Sequence, residues 1–150
     1  MIRQPTKELA DLYMVDETAW LDAMAQLIRD GRLGDLDYPH LAEYLEDMAT
    51  RDRREVTSRL KVLLAHVLKW AYQNEMRTSS WENTIFNQRD VLEDVLEQRV
   101  LRNHAEESLA AVYRKAVKQA ARETKLPAET FPTECPWTID QLLSDDILGD

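Results

Sequence analysis

Glycine, proline and cysteine are scarce in this chain: 150 residues include three glycines, five prolines and one cysteine. A sheet of short strands needs frequent turns, and turns rely on glycine, proline and asparagine. Their scarcity therefore favours helices. The single cysteine, Cys135, cannot form an intrachain disulfide, which favours a reducing, cytoplasmic location.

Long apolar runs and sharp catalytic motifs are also missing. No run is long enough to cross a bilayer, and the first residues lack the apolar core of a signal peptide, so we expect no membrane association. The sequence has no phosphate-binding glycine loop, HExxH, paired CxxC or nucleophile elbow. With three histidines and one cysteine, the chain has too few nitrogen and sulfur ligands to make a zinc site of soft ligands a good interpretation. We therefore predict no cofactor.

The charge is acidic overall but unevenly distributed. The net charge of −9 argues against a broad nucleic-acid-binding surface. Residues 1–50 carry 4 Lys or Arg against 11 Asp or Glu, whereas residues 101–126 carry 6 against 3. Our preferred interpretation is that acidic and basic segments face one another across a bundle. A surface for a partner is the alternative.

Apolar residues recur at helical spacing through most of the chain, which at 44% hydrophobic and 31% charged is typical of one globular domain over residues 1–150. The first predicted helix begins at Asp16 and ends before Gly31. A second begins at Asp37, and its segment from Val62 to Tyr72 is predicted to be central. The next begins at Ser79 with a capping box to Glu82, and the last long helix runs from Val100 to Glu123.

Two apolar stripes on the second predicted helix are out of phase. Leu41, Leu45 and Met48 form one stripe, and a stripe that begins at Val56 lies about a quarter-turn around the helix. One straight helix cannot bury both stripes against the same neighbour. We therefore predict a kink or short break between residues 49 and 53.

The C-terminal stretch LPAETFPTECPWTIDQLL contains three prolines and cannot form one helix. We expect it to lie across the bundle as a clasp anchored by Phe131 and Trp137, with Thr138 capping a last short helix. The predicted fold is therefore all-α: an up-and-down bundle of four to five main helices with an irregular, proline-rich C-terminal clasp.

Several stretches resemble one known bacterial family. They are DLYMVDETAWL at 11–21, LAEYLEDM at 41–48, LLAHVLKWAYQ at 63–73, QR at 88–89 and LPAETFPTECPWTIDQLL at 126–143. Together they resemble the twenty-ninth numbered family of domains of unknown function. The resemblance implies a stand-alone helical bacterial protein, and it brings no activity, cofactor or catalytic residue.

A polar group lies within the predicted apolar stripes. His66 falls beside Val62, Gln88 takes a position where a leucine is expected, and Arg89 lies at the edge of the same face. In an antiparallel hairpin, His66 and Gln88 lie at similar distances from the turn and are expected to meet. A hydrogen-bonded pair that fixes helix register is the preferred interpretation, and an active site is the alternative.

Glu43, Glu46 and Asp47 are the candidate metal ligands. Their spacing places three carboxylates within about a turn and a half of helix, as in divalent-metal sites of helical bundles. They can reach His66 only if the chain reverses near residue 50. A solvated acidic face opposite Leu41 and Leu45 is the preferred interpretation, and a metal site is the alternative.

The last long helix carries basic residues on the side opposite its apolar stripe. We call this set the basic face: Arg114, Lys115, Lys118, Arg122 and Lys125. Because no aromatic residues are interleaved for base stacking, a solvated or salt-bridged surface is preferred over nucleic-acid or lipid binding. Cys135, with no histidine near it in sequence, is interpreted as a packed small residue, not a nucleophile.

These patterns favour a non-enzymatic interaction or regulatory module with a protein partner, because no catalytic constellation converges. A metal-dependent hydrolase of the nuclease or phosphohydrolase type, using the acidic residues, is the alternative. Nucleic-acid binding through the basic face is a second alternative. The sequence does not identify the partner or the oligomeric state.

Overall fold

The computed structural model describes residues 6–149, and these residues form helices and connecting turns without a β-strand. Its α-helices are α1 Lys7–Val15, α2 Glu17–Arg29, α3 Tyr38–Tyr72, α4 Ser79–Val95, α5 Arg99–Thr124 and α6 Ile139–Leu142. Short 3-10 turns lie at Leu33–Asp35, Asn74–Met76, Ala128–Thr130 and Asp145–Leu148. The predicted all-α class is confirmed.

The chain divides into two compact units. Unit 1 is Met1–Arg51, of which the structure describes residues 6–51, and unit 2 is Asp52–Asp150, described up to residue 149. Each unit has its own apolar core. The interpretation of residues 1–150 as one domain stays a prediction.

Unit 1 begins with a helix that the apolar pattern did not predict. The Thr6 side chain accepts a hydrogen bond from the Leu9 amide (3.1 Å) and caps α1. Asp16 caps α2 as predicted, because its carboxylate accepts from the Ala19 amide (3.1 Å). Helix α2 ends before Gly31, whose positive φ of 73° glycine adopts without steric cost.

The buried core of unit 1 is small and aromatic-rich. Trp20, Met24 and Leu36 are buried, and partly buried side chains from α1, α2 and the start of α3 pack against them. Leu45, predicted to be buried, is 60% exposed. Of its stripe, Leu41 packs against this core together with the neighbouring Tyr44, whereas Leu45 and Met48 are not part of the core.

Helix α3 is continuous through residues 49–53, so a short break there is wrong, and the kink that was its alternative stays a prediction. That prediction assumed that both apolar stripes of the helix pack against the same neighbouring element. In the structure the first stripe, with Leu41, packs in the core of unit 1, and the second, from Val56 onward, packs in the core of unit 2. Since the stripes serve different cores, a continuous helix satisfies both.

Unit 2 is built around the C-terminal part of α3. The α3 side chains that are at most 1% exposed lie between Val56 and Leu68. The buried segment of α3 is therefore shifted from the predicted Val62–Tyr72, and Ala71 and Tyr72 are exposed. Helix α4 returns antiparallel to α3: Arg59 contacts Gln88 (3.3 Å), and the Lys69 ammonium lies 5.1 Å from the Trp81 ring centroid. The apolar side of α5 completes the core.

The predicted cap of α4 is displaced by one residue. Thr78, not Ser79, is the N-cap: its hydroxyl accepts from the Trp81 amide at 3.2 Å. The predicted box between Ser79 and Glu82 is therefore wrong. Thr78 has the extended backbone that an N-cap residue adopts before the first helical turn.

The C-terminal stretch of unit 2 packs against its core through Phe131, which is buried, and Trp137, which is half-buried. Tyr113 of α5 donates a hydrogen bond to the Pro132 carbonyl (2.6 Å). Thr138 caps α6 in a capping box with Gln141, which confirms the predicted last helix.

Within residues 6–149, no helix combines the length and the apolar character that a membrane span requires.

Candidate functional site

The three predicted metal ligands Glu43, Glu46 and Asp47 are exposed on α3. The structure does not reverse the chain near residue 50, which was the condition for bringing them to His66. In the described part of the chain, no three His, Cys, Asp or Glu side chains are grouped as a metal ion would require. The hydrolase alternative is therefore not favoured.

His66 is half-buried on α3 and bonded within its own helix. Its Nδ1 lies 2.8 Å from the Val62 carbonyl oxygen, which can only accept, so Nδ1 carries the proton. Burial lowers the pKa of His66, and the nearby Lys69 ammonium lowers it further. The imidazole is therefore held in its neutral form.

Gln88 does not take His66 as its partner. Its Oε1 atom accepts a hydrogen bond from Arg59 (3.3 Å), and Arg59 also pairs with Glu55 (2.9 Å). The two helices are thus antiparallel as predicted, but Gln88 lies opposite a position nearer the N-terminal end of α3 than His66. The structure gives His66 and Gln88 separate partners.

An ion pair between α3 and α5 lies close to His66. The ammonium of Lys69, which is buried, contacts the Glu123 carboxylate at 2.8 Å. Burial would raise the pKa of Glu123, but hydrogen bonds from Lys69 and Gln119 outweigh it and leave the pKa lowered. Because Lys69 is paired with Glu123, this group has the character of a structural ion pair, not of a free base.

Arg89 of α4 is buried, with 5% of its surface exposed, and its guanidinium lies 5.4 Å from the Phe86 ring centroid. Its Nη2–H donates to the carboxylate of Asp145. Its Nε and Nη1 atoms have no hydrogen-bond partner among residues 6–149. Arg89 therefore joins α4 to the C-terminal 3-10 turn while retaining unused donors.

The same 3-10 turn contacts α3 through Trp70. The Trp70 indole donates to the Leu148 carbonyl at 3.1 Å. Arg77 also contacts Trp70: its guanidinium lies 4.6 Å from the ring centroid, and its Nε donates to the Trp70 carbonyl at 2.8 Å. We call the surface formed by Trp70, Arg77 and Arg89 the tail site.

All five residues of the basic face are exposed on α5 or directly after it. None of them forms an ion pair within the described residues. Lys115 lines a cavity of about 100 Å³ together with Lys61 of α3, which extends the positive charge to a second helix.

Cys135 is half-buried, and its thiol donates to the Trp137 carbonyl at 3.3 Å. Burial raises the pKa of this thiol, which keeps it protonated. A protonated thiol is a poor nucleophile, so the environment fits the packing role that the sequence suggested.

Unit 1 holds a polar cluster that sequence reasoning missed. The carboxylate of Asp37, which is fully buried, accepts from the Trp20 indole (3.1 Å) and contacts His40 Nδ1 (2.7 Å). The His40 ring stacks on Tyr13 with centroids 4.3 Å apart. Asp37 was recognised only as a helix start. The sequence feature that could have indicated this cluster is an Asp followed three residues later by a His, next to a predicted helix that contains a tryptophan.

Unit 1 also contains an open groove of about 540 Å³. Its apolar side is formed by Leu9, Ala23 and Leu27. Its polar rim consists of Thr6, Gln26, Asp30, Arg32 and Asp35. We call this cavity the unit 1 groove. Arg32 is tied to Asp35 at 2.9 Å, so the remaining rim charge is negative.

No curated protein and no solved structure matches the chain. The family whose sequence model matches covers residues 12–148, which includes most of both units. The chain therefore belongs to the family described as domain of unknown function DUF29.

Proposed function

We propose that this chain is a cytoplasmic, non-enzymatic interaction module, and that its unit 1 groove binds a basic, partly apolar segment of a protein partner. The observation that carries the proposal is the groove itself: an apolar floor beneath an acidic rim. Such a combination suits an apolar anchor residue flanked by Lys or Arg.

The charge of unit 1 supports a basic partner. Residues 1–51 carry 5 Lys or Arg against 11 Asp or Glu, a net charge of −6. A surface of one sign raises the association rate of an oppositely charged partner. Asp30 lies on the groove rim, and within residues 6–149 its carboxylate is engaged only by the neutral Gln26 side chain (2.9 Å), so no described cation pairs with it.

Unit 1 also exposes several large apolar side chains. It holds five of the eight large apolar side chains that are exposed in the described residues: Met14, Val15, Ile28, Leu33 and Leu45. Ile28 and Leu33 are next in sequence to the groove residues Leu27 and Arg32. Exposed apolar groups rimmed by polar residues are typical of protein-binding surfaces.

The test is quantitative capture from native cells with the full chain as bait. Ala23→Trp fills the groove floor, and Ala111→Trp places the same side chain on the exposed surface of α5 as a matched control. We expect at least one protein to be retained by the wild type and by Ala111→Trp and to be lost with Ala23→Trp. Circular dichroism checks that both variants fold.

Direct binding of the purified partner then tests the acidic rim. Asp30→Asn should weaken binding about three- to tenfold at low salt, and the difference should shrink at high salt, because the contribution is electrostatic. Equal retention of every captured protein by Ala23→Trp, or no specific capture at all, would contradict the proposal.

A further inference from the structure

The buried guanidinium of Arg89 is incompletely paired. Asp145 takes one donor group, Nη2, while Nε and Nη1 are inaccessible and have no partner among the described residues. Arginine–carboxylate pairs are strongest when two parallel N–H groups bind two carboxylate oxygens. The contact with Asp145 therefore leaves two buried N–H donor groups of Arg89 without an acceptor, and buried donors are costly to leave unpaired.

The group that occupies Arg89 is itself weakly held. The Asp145 side chain is 95% exposed, so solvent screens its attraction to the guanidinium. It lies in the four-residue 3-10 turn Asp145–Leu148, which follows the equally short helix α6. Elements of this length have little stability of their own and depend on their contacts with the rest of the fold.

The 3-10 turn Asp145–Leu148 contacts the rest of unit 2 in the way that a short linear ligand would. One carboxylate meets Arg89, one backbone carbonyl accepts from Trp70, and two aliphatic side chains, Ile147 and Leu148, pack half-buried against the core of unit 2. These contacts define what the site recognises: an acidic residue followed by aliphatic residues in a short turn.

We propose that the tail site is a binding site for an acidic linear segment of a partner protein, and that residues 145–148 occupy it as a tethered competitor. Charge complementarity to a buried arginine selects an acidic ligand. A free peptide, unlike the turn tied to α6, can place its carboxylate against two donors of Arg89, which gives it an advantage over Asp145. This site lies in unit 2 and does not depend on the unit 1 groove.

The experiment uses the full chain and a fluorescent peptide with the sequence of residues 143–149. The released variant, Asp145→Ala with Leu148→Ala, removes the competitor's carboxylate and one aliphatic contact. We expect it to bind the peptide about tenfold or more tightly than the wild type, because a tethered ligand competes at an effective concentration in the millimolar range. Fluorescence anisotropy measures both affinities.

The arginine is tested in the released background. Adding Arg89→Gln should abolish peptide binding. Adding Arg102→Gln, which removes another arginine paired with an aspartate (Asp140), should leave it unchanged. A peptide with both aspartates replaced by asparagine should not bind. Equal affinity of the wild type and the released variant, or binding that survives Arg89→Gln, would overturn the proposal.

Hydrogen exchange tests the competition in the wild type and does not depend on any substitution. Saturating peptide should displace residues 145–148 and speed the exchange of their amide protons, whereas the amides of α3 near Trp70 should stay protected. If residues 145–148 remain as protected with saturating peptide as without it, they are not a competitor.

Discussion

The indole Nε1 of Trp20 donates a hydrogen bond to the Oδ2 atom of Asp37, and the N···O distance is 3.1 Å. Both side chains are fully buried. The same carboxylate oxygen contacts Nδ1 of His40 at 2.7 Å, so one buried group connects α2 to the start of α3. Because the core of unit 1 is small, we expect these buried hydrogen bonds to contribute substantially to the stability of unit 1.

We expect Asp37→Ala to lower the free energy of unfolding of unit 1 by about 2–4 kcal/mol, because it leaves the buried Trp20 indole without an acceptor. Asp37→Asn keeps one acceptor oxygen and should cost less. Native-state hydrogen exchange of the α2 amides measures the effect. Asp30 is an exposed acidic residue of the same unit, and Asp30→Asn should change the free energy of unfolding by less than about 0.5 kcal/mol. Equal effects at both positions would contradict the assignment.

The role of Asp37 shows which part of the structure the sequence could provide. Its function as a helix start is local, since the capping preference depends on the residues that follow it. Its bond to Trp20 depends on how α2 packs on α3, and no periodicity within either helix specifies that contact. Local signals therefore predicted the beginning of the helix and not the buried cluster.

Tyr113 links α5 to the proline-rich stretch through its bond to the Pro132 carbonyl at 2.6 Å. We expect Tyr113→Phe to lower the free energy of unfolding by about 1 kcal/mol, since one buried hydrogen bond is lost and the ring is kept. Urea denaturation measures this change. Tyr44→Phe is the control, because the Tyr44 hydroxyl forms no such bond to a carbonyl within residues 6–149.

Burial raises the pKa of Tyr113 from 10.0 to about 12, and the nearby Cys135 and Tyr72 add to the increase. The phenol stays neutral in the folded chain while it ionises in the unfolded chain, so stability should fall as the pH rises from 10 to 12. Ultraviolet absorbance of tyrosinate should show a late ionisation step that Tyr113→Phe lacks. An unchanged titration curve would contradict this environment.

The register of α3 and α4 explains another difference between sequence and structure. Counting residues from the predicted turn placed Gln88 opposite His66, but the antiparallel pairing places Arg59 beside Gln88 instead. The connection runs through the 3-10 turn Asn74–Met76 and the extended Thr78, and the helices pair in a register that a symmetric residue count about the turn did not reproduce. The direction of the helices follows from a short connection, whereas their register depends on turn geometry that apolar spacing does not encode.

Divalent metals should not stabilise the protein. No group of three possible ligands is present in residues 6–149, and Glu43, Glu46 and Asp47 are exposed. A genuine site at a hundredfold excess over Kd would add about 2.7 kcal/mol. We expect no shift in Tm with Mg²⁺, Mn²⁺ or Zn²⁺. A specific shift that disappears in Glu43→Gln would restore the hydrolase hypothesis.

The basic face should contribute little to stability. Because its side chains are exposed and form no ion pair within the described residues, the triple variant Arg114→Gln, Lys118→Gln, Arg122→Gln should change the free energy of unfolding by less than about 1 kcal/mol. Binding to single-stranded RNA at low salt is the accompanying measurement, and we expect none. Salt-dependent binding that the triple variant loses would support the nucleic-acid alternative.

His66 should make the stability of unit 2 depend on pH near neutrality. Burial lowers the pKa of its imidazole below the ordinary value of 6.5. In the window just below pH 6.5, the unfolded chain therefore binds a proton that the folded chain does not, and the free energy of unfolding falls as the pH drops. Urea denaturation of the wild type between about pH 7.5 and 5 should show this fall. His66→Gln should reduce it, whereas His104→Gln should retain it. Identical pH profiles for the wild type and His66→Gln would show that the imidazole is not held neutral by its surroundings.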